Sequence, residues 1–112
     1  MQTPELWELI SFFESEPEAS DPEEAEFFDS VSFVRDVGGG ELLRCDIGRN
    51  FGDLRIALSR DGTERVVLSA EVNRIVIERL HDVVSLVATF GREPDGEAAR
   101  LTFTPTFLLQ WR

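Results

Sequence analysis

Two hydrophobic periodicities divide the chain near residue 30. Before that point, apolar residues recur at i, i+3, i+4 and i+7, which is the spacing of one face of an α-helix. These residues are Leu6, Leu9, Ile10 and Phe13. Thr3-Pro4-Glu5 supplies a capping hydroxyl followed by a proline suited to the first helical position. The pattern predicts a helix over residues 4–14, with Trp7 and Phe12 widening its buried stripe.

A second helix-start signal follows at Asp21-Pro22-Glu23-Glu24. Asp21 can cap, Pro22 fits the first turn, and acidic residues in that turn complement the helix dipole. This signal predicts a short helix over residues 22–28 that presents Phe27 and Phe28 to the core. The segment between the two helices contains Pro17 and several like charges, so an exposed loop is expected there.

From residue 30 onward the hydrophobic period is two, which is typical of half-buried antiparallel strands. Four inward rows follow one another, and Arg35 intrudes on the apolar side of the first. The rows are Val31, Phe33 and Val37; Leu43, Cys45 and Ile47; Leu54, Ile56 and Leu58; and Val66, Leu68, Ala70 and Val72. Turn signals separate the strands at residues 38–40, 48–53 and 92–97.

Three local signals refine the strand predictions. Asp61-Gly62 between alternating strands predicts a two-residue type I′ hairpin with Arg60 opposite Thr63. The segment 83–90 is apolar on both faces, which favours a central strand. Pro105 interrupts the last apolar segment, so a bulge or an edge position is expected there.

These elements predict a single α+β domain over residues 1–112. An acidic, helical front end occupies residues 1–29, with one N-terminal helix or two. An antiparallel body of six to eight strands occupies residues 30–112. One curved sheet wrapped around the first helix is the preferred arrangement, because that helix carries four large apolar side chains. A β-sandwich is the alternative.

Charge is distributed as unevenly as hydrophobicity. The chain has 22 acidic and 11 basic residues and a formal net charge of −11. Residues 1–30 contain ten acidic residues and no Lys or Arg, whereas the remaining twelve acids are nearly balanced by eleven arginines. Such a front end attracts a basic partner and repels nucleic acid and anionic membranes. We therefore expect a basic protein partner, no nucleic-acid binding and no membrane binding.

The candidate binding residues are the acids of this front end, in a purely electrostatic contact role. They are Glu14, Glu16, Glu18, Asp21, Glu23, Glu24 and Glu26. The alternative is a solvated face that maintains solubility. The spacing of these acids lacks the alternating Asp/Asn residues, central Gly and terminal Glu of an EF-hand, so calcium binding is not predicted.

Catalytic chemistry finds little support in the sequence. His81 is the single histidine, so one chain cannot supply two imidazoles to a metal. A Cys45–His81 pair could form a nucleophile and its base, but Cys45 alternates with Leu43 and Ile47 as a core residue does. We predict no cofactor, no metal site and no enzymatic activity.

In size and charge the chain is similar in kind to small acidic bacterial immunity proteins, which are compact, cytoplasmic and non-catalytic. The analogy implies an inhibitor that blocks a basic toxin. Two alternatives remain: a self-associating structural domain that dimerises through residues 106–111, or a small-ligand-binding domain with a cavity under the sheet. The first twenty residues lack the features of a signal peptide and no long apolar stretch is present, so cytoplasmic localisation is expected.

Overall fold

A computed structural model describes residues 3–17, 30–48, 53–89, 97–103 and 107–111. One helix precedes eight strands. In chain order they are α1 (Leu6–Phe13), β1 (Ser30–Gly38), β2 (Glu41–Gly48), β3 (Asp53–Arg60), β4 (Thr63–Glu71), β5 (Arg74–Leu80), β6 (Val83–Thr89), β7 (Glu97–Thr102) and β8 (Leu108–Trp111). The α+β class and the antiparallel strands are confirmed, and the strand number is at the upper limit of the prediction.

The strands form two four-stranded antiparallel sheets. Sheet 1 has the order β1-β2-β3-β4 and sheet 2 the order β5-β6-β7-β8, so each sheet is a meander. The predicted single curved sheet is therefore only approximate. The chain changes sheets between Glu71 and Arg74, where the backbone N–H of Asn73 donates to the carbonyl of Thr89 in sheet 2, at 3.0 Å. That bond ties the connecting segment to the second sheet.

The β3–β4 hairpin has the predicted type I′ turn. Asp61 and Gly62 both have positive φ, at 53° and 79°, and Arg60 pairs with Thr63. Both central residues of such a turn must lie in the left-handed region, which Asp tolerates and Gly adopts without strain.

One predicted inward row, that of Val66, Leu68, Ala70 and Val72, is wrong at Val66 because of a β-bulge between β3 and β4. Ala57 pairs with Val66, but the next pair is Ile56 with Leu68, so Val67 is the extra residue. One extra residue reverses which face the following side chains occupy. Leu68 and Val72 are buried as predicted, whereas Val66 is largely exposed.

The central position of the 83–90 segment is confirmed by β6. Leu86 and Ala88 belong to the hydrophobic core, while Ser85 and Val87 on the opposite face are also buried. The Ser85 hydroxyl is hydrogen-bonded to that of Thr102 on β7 at 2.8 Å, which satisfies both buried polar groups. The predicted second helix at 22–28, Phe90 and the irregularity at Pro105 lie outside the described residues.

Helix α1 begins two residues later than its sequence signal suggests. Glu5, in extended conformation, is the N-cap, and its carbonyl accepts the backbone N–H groups of Glu8 and Leu9. The Glu8 carboxylate accepts the Glu5 N–H at 3.3 Å in return. Thr3, the expected cap, and Pro4, the expected first helical residue, therefore both precede the helix. None of the described helices is long and apolar enough to cross a membrane.

Both sheets and the helix contribute to one hydrophobic core. Leu9, Phe12 and Phe13 are buried, whereas Trp7, expected to widen the same stripe, is 67% exposed. The Phe13 ring stacks on Phe33 of sheet 1 at 4.8 Å between ring centroids. It also meets Phe103, the residue after β7, edge-on at 5.7 Å. The prediction that the helix buries aromatic surface is thus confirmed for its Phe residues.

Arg35 is the charged residue that the sequence places among apolar positions, and three different groups hold it. Its Nη1 donates to the Phe12 carbonyl at 2.9 Å, and its Nη2 lies 3.3 Å from a Glu14 carboxylate oxygen. Its guanidinium carbon lies 4.1 Å from the centre of the Phe103 ring. Arg35 thereby joins the C-terminus of α1 to both sheets.

Substitution of Phe13 by Ala tests how far stability depends on helix docking. Removing this fully buried ring should lower the free energy of unfolding by about 3–5 kcal/mol, because a cavity remains between the helix and Phe33. Trp7→Ala, which truncates an exposed aromatic on the same helix, should cost less than about 1 kcal/mol. Urea denaturation measures both, and equal effects of the two substitutions would show that the helix is not anchored through Phe13.

Candidate functional site

The structure describes two of the seven predicted contact acids. Glu14 and Glu16 are both exposed just after α1. Glu14 is the C-cap, with a positive φ of 53°, and its carboxylate faces Arg35 at 3.3 Å. Glu14 therefore has a structural partner within the chain. Glu18, Asp21, Glu23, Glu24 and Glu26 lie outside the described residues.

The outward face of sheet 1 carries a network of alternating charges. Asp46 on β2 lies between two arginines, 3.1 Å from Arg44 Nε and 3.1 Å from Arg55 Nη1. The other amino group of Arg55 reaches Glu64 at 2.6 Å. Asp46 and Glu64 therefore form cross-strand ion pairs with Arg55, a kind of contact that stabilises antiparallel sheets.

This network lowers the pKa of Asp46 below its ordinary value. Partial burial opposes the shift by penalising the charged carboxylate, but hydrogen bonds from Ser32, Arg44 and Arg55 outweigh it. The hydrogen bonds that Arg55 donates, first to Glu64 and then to Asp46, raise the pKa of Arg55. Asp46 is thus held ionised and fixed in position.

An open groove of about 530 Å³ adjoins this network at the end of sheet 1. We call it the acidic groove. Its lining residues are Asp46, Gly48, Asp53, Leu54, Arg55, Ser69, Ala70 and Glu71. Any larger residue in place of Gly48 would crowd Asp53, because a Cβ at that position would lie 3.2 Å from the Cβ of Asp53. Three carboxylates and the guanidinium of Arg55 surround the space. That guanidinium is already paired with Asp46 and Glu64.

Two of those carboxylates lie opposite each other without a compensating charge in the described part of the chain. Asp53 on β3 and Glu71 on β4 are direct cross-strand partners, and both are exposed. Neither has a hydrogen-bond or ion-pair partner among the described residues. Like charges directly opposite each other destabilise a sheet pair. The arrangement suits a cation supplied from outside.

Sequence reasoning missed this pair because of the bulge. Counting back from the Asp61-Gly62 turn in a regular ladder places Asp53 opposite Ala70. The extra residue Val67 shifts the register by one and brings Glu71 opposite Asp53 instead. No residue in the β3–β4 segment signals a bulge as the Asp-Gly pair signals a turn.

The acidic groove lies at the end of sheet 1 where the acidic front segment enters it. Ser30, the residue after Asp29, pairs with Gly48, which pairs with Asp53, which pairs with Glu71. These four residues form one row across the sheet. The chain therefore enters sheet 1, at Ser30, at the end where the groove lies.

The whole net charge belongs to the helix and sheet 1 half of the chain. Residues 1–73 contain 17 acids and 6 arginines, whereas residues 74–112 contain five of each. The half that includes sheet 2 is therefore formally neutral. Any long-range attraction for a basic partner originates from the first half.

The structure keeps the potential Cys45–His81 pair apart. Cys45 is fully buried in the core of sheet 1, and burial raises the pKa of its thiol far above the ordinary range. His81 is exposed in the two-residue turn between β5 and β6 of sheet 2, with a positive φ of 56°. A thiol kept protonated in a core, away from the imidazole, is not an activated nucleophile.

The charge network generates a pH-dependent prediction. Asp46→Asn removes the carboxylate shared by two arginines and should lower the free energy of unfolding by about 0.5–1 kcal/mol at neutral pH. Because the folded-state pKa of Asp46 is lowered, its contribution is fully present above the ordinary carboxyl pKa and is lost as the pH falls through the lower folded-state pKa. Urea denaturation between neutral pH and about pH 3 should show the two proteins converging.

Asp82→Asn is the matched control for that measurement. Asp82 is an exposed turn residue without a hydrogen-bond or ion-pair partner in the described part of the chain, so its substitution should change stability little at any pH. A stability difference for Asp46→Asn that stayed constant down to about pH 3 would show that the carboxylate charge is not its source.

Comparison with family models and with curated proteins finds no match. Among solved structures, a chain of the contact-dependent growth inhibition toxin–immunity protein complex from Klebsiella pneumoniae 342 superposes with a TM-score of 0.78. The superposition covers 99% of this chain and 95% of that chain, at 16% sequence identity. Near-complete coverage of both chains means that the helix and the two-sheet arrangement are shared as a whole. This chain therefore has the fold of a component of a toxin–immunity complex.

Proposed function

We propose that this protein is a non-enzymatic, immunity- or inhibitor-type module whose acidic surface binds a basic protein partner. The observation that carries the proposal is the similarity in fold, over nearly the entire chain, to a component of a toxin–immunity complex. The same role fits the charge distribution, since an acidic inhibitor is attracted to the basic surface of its target.

A toxin and its immunity protein have opposite roles, and the chemistry of this chain supports the immunity side. Its net charge of −11 opposes approach to a nucleic-acid phosphate backbone. Its cysteine is buried and protonated, and its histidine lies on a turn of the other sheet. An inhibitor requires neither a nucleophile nor a base. It requires only a complementary surface.

The acidic groove is the part of that surface whose geometry supports binding best. Asp53 and Glu71 repel each other in the isolated protein, and an Arg or Lys side chain from a partner would relieve that repulsion. The groove is concave, and Asp46 on its wall is held ionised. The front acids that follow Glu14 in the sequence add negative charge to the same half of the chain.

Affinity capture from the source organism at low and high salt tests the proposal. The bait is the full chain beside an Asp53→Asn/Glu71→Gln double variant. We expect the unmodified chain to retain a basic protein at low salt and to release it at high salt, because screening weakens exposed charge pairs. The double variant should retain about tenfold less of it, since two exposed pairs contribute up to about 1 kcal/mol each and about 1.4 kcal/mol is a factor of ten.

Asp61→Asn/Asp82→Asn is the matched control, because it removes the same charge from two exposed turns away from the groove. It should behave as the unmodified chain does. A second bait with the seven front acids changed to Gln or Asn measures their share of the binding separately. Co-expression of the captured protein with and without this chain then shows whether the captured protein is toxic and whether this chain protects the cell.

Two results would refute the proposal. If all baits retained the same proteins at both salt concentrations, the negative surface would serve solubility alone. If the captured protein were harmless to cells that lack this chain, binding would stand without an inhibitory role.

A further inference from the structure

The open edges of the two sheets are protected unequally. Each sheet is a four-stranded meander, so β1, β4, β5 and β8 lie at edges. An edge strand exposes backbone groups that can pair with another chain, and charged side chains or bulges usually prevent this. Three of the four edges carry such protection. They are β1 with Arg35 and Asp36, β4 with Glu64, Arg65, Glu71 and the bulge at Val67, and β5 with Arg74, Glu78 and Arg79.

Strand β8 has neither kind of protection. Its four residues are Leu-Leu-Gln-Trp, without a charge or a proline. It pairs with β7 in an unbroken antiparallel register from Ala99↔Trp111 to Thr102↔Leu108. No other described strand pairs with its outer edge. Leu108, on the outward face of the strand, is 49% exposed. This edge is a regular, apolar template for an added strand.

The charge distribution favours a second copy of this chain, rather than a basic protein, as the partner of this edge. A basic protein is attracted to residues 1–73, which carry the entire net charge, and gains nothing electrostatically from the neutral second half. A second copy of this chain, by contrast, is repelled by residues 1–73 and meets no net charge at residues 74–112. Two copies can therefore associate through sheet 2 while their acidic halves stay apart.

Antiparallel pairing of β8 with its own copy is also geometrically self-complementary. Two identical strands related by a two-fold axis present the same uncharged residues to each other, and the interface closes without leaving a new edge. We propose that β8 pairs with β8 of a second copy, which joins the two copies of sheet 2 into one eight-stranded sheet and covers Leu108. This inference is independent of the inhibitor function.

Sedimentation velocity on the full chain tests the proposal. Between about 1 and 300 µM, the range suited to a small interface, the mass should rise from the monomer value of 12.7 kDa toward twice that value. Leu108→Lys places like charges at the paired edges of both copies and should weaken self-association at least about tenfold. Leu80→Lys is the matched control, since Leu80 is 61% exposed on the opposite edge strand of the same sheet and should leave association unchanged.

Amide hydrogen exchange of the unmodified chain provides a second readout that needs no variant. Protection of the Leu108–Trp111 amides should rise with protein concentration, whereas that of the edge strand β5 should not. A monomer at every concentration would overturn the proposal. So would a dimer that Leu108→Lys does not weaken, because the copies would then meet elsewhere.

Discussion

The position of Arg35 on the core side of sheet 1 links the three parts of the structure. A guanidinium with only 19% of its side chain exposed is tolerated among apolar groups only if its charge and donors are satisfied. The Phe12 carbonyl, the Glu14 carboxylate and the Phe103 ring together meet that requirement. Phe12 and Glu14 belong to the end of the helix, and Phe103 follows the last residue of β7 in sheet 2. The contacts of Arg35, which itself lies on sheet 1, therefore connect the helix and both sheets around one core.

The helix could not hold its place without such contacts. Eight residues are too few for a helix to be stable alone in water, so its stability derives from docking. Leu9, Phe12 and Phe13 are its buried docking residues, and Arg35 donates a hydrogen bond to the Phe12 carbonyl near the end of the helix. Glu14 consequently forms an ion pair with Arg35 inside the fold, although it lies in the sequence beside the acids that are expected to contact a partner.

The net charge is confined to one half of the molecule, whereas the hydrophobic core spans both halves. The core unites both sheets, whereas all the net negative charge belongs to the half that ends at residue 73. Within that half, Asp46 is paired with two arginines, but Asp53 and Glu71 lie opposite each other with no cationic partner among the described residues. A sheet that already pairs Arg44 and Arg55 with acids could have paired this site too. In the described part of the chain these two carboxylates differ from Asp46 in having no arginine partner, which is why the proposed binding surface centres on them.

Much of the fold is encoded by short-range signals that act independently of tertiary context. The Asp61-Gly62 turn, the double-sided β6 strand and the Leu9–Phe13 face of the helix follow from backbone preferences and periodicity alone. The break between sheets at Val72-Asn73, the bulge at Val67 and the exposure of Trp7 do not. They depend on how strands pack against one another, and a single extra residue at Val67 decides whether Ala70 or Glu71 opposes Asp53. The candidate groove was hidden from the sequence for that reason.

The decisive measurement is the amide hydrogen-exchange footprint of the captured basic protein on this chain. Binding at the acidic groove predicts slower exchange in Asp53–Arg55 and Ser69–Glu71, with the edge strand β8 unaffected by the partner. Slower exchange confined to β5–β8, with the groove strands unchanged, would show that the partner binds the neutral half and that the acidic half has another purpose.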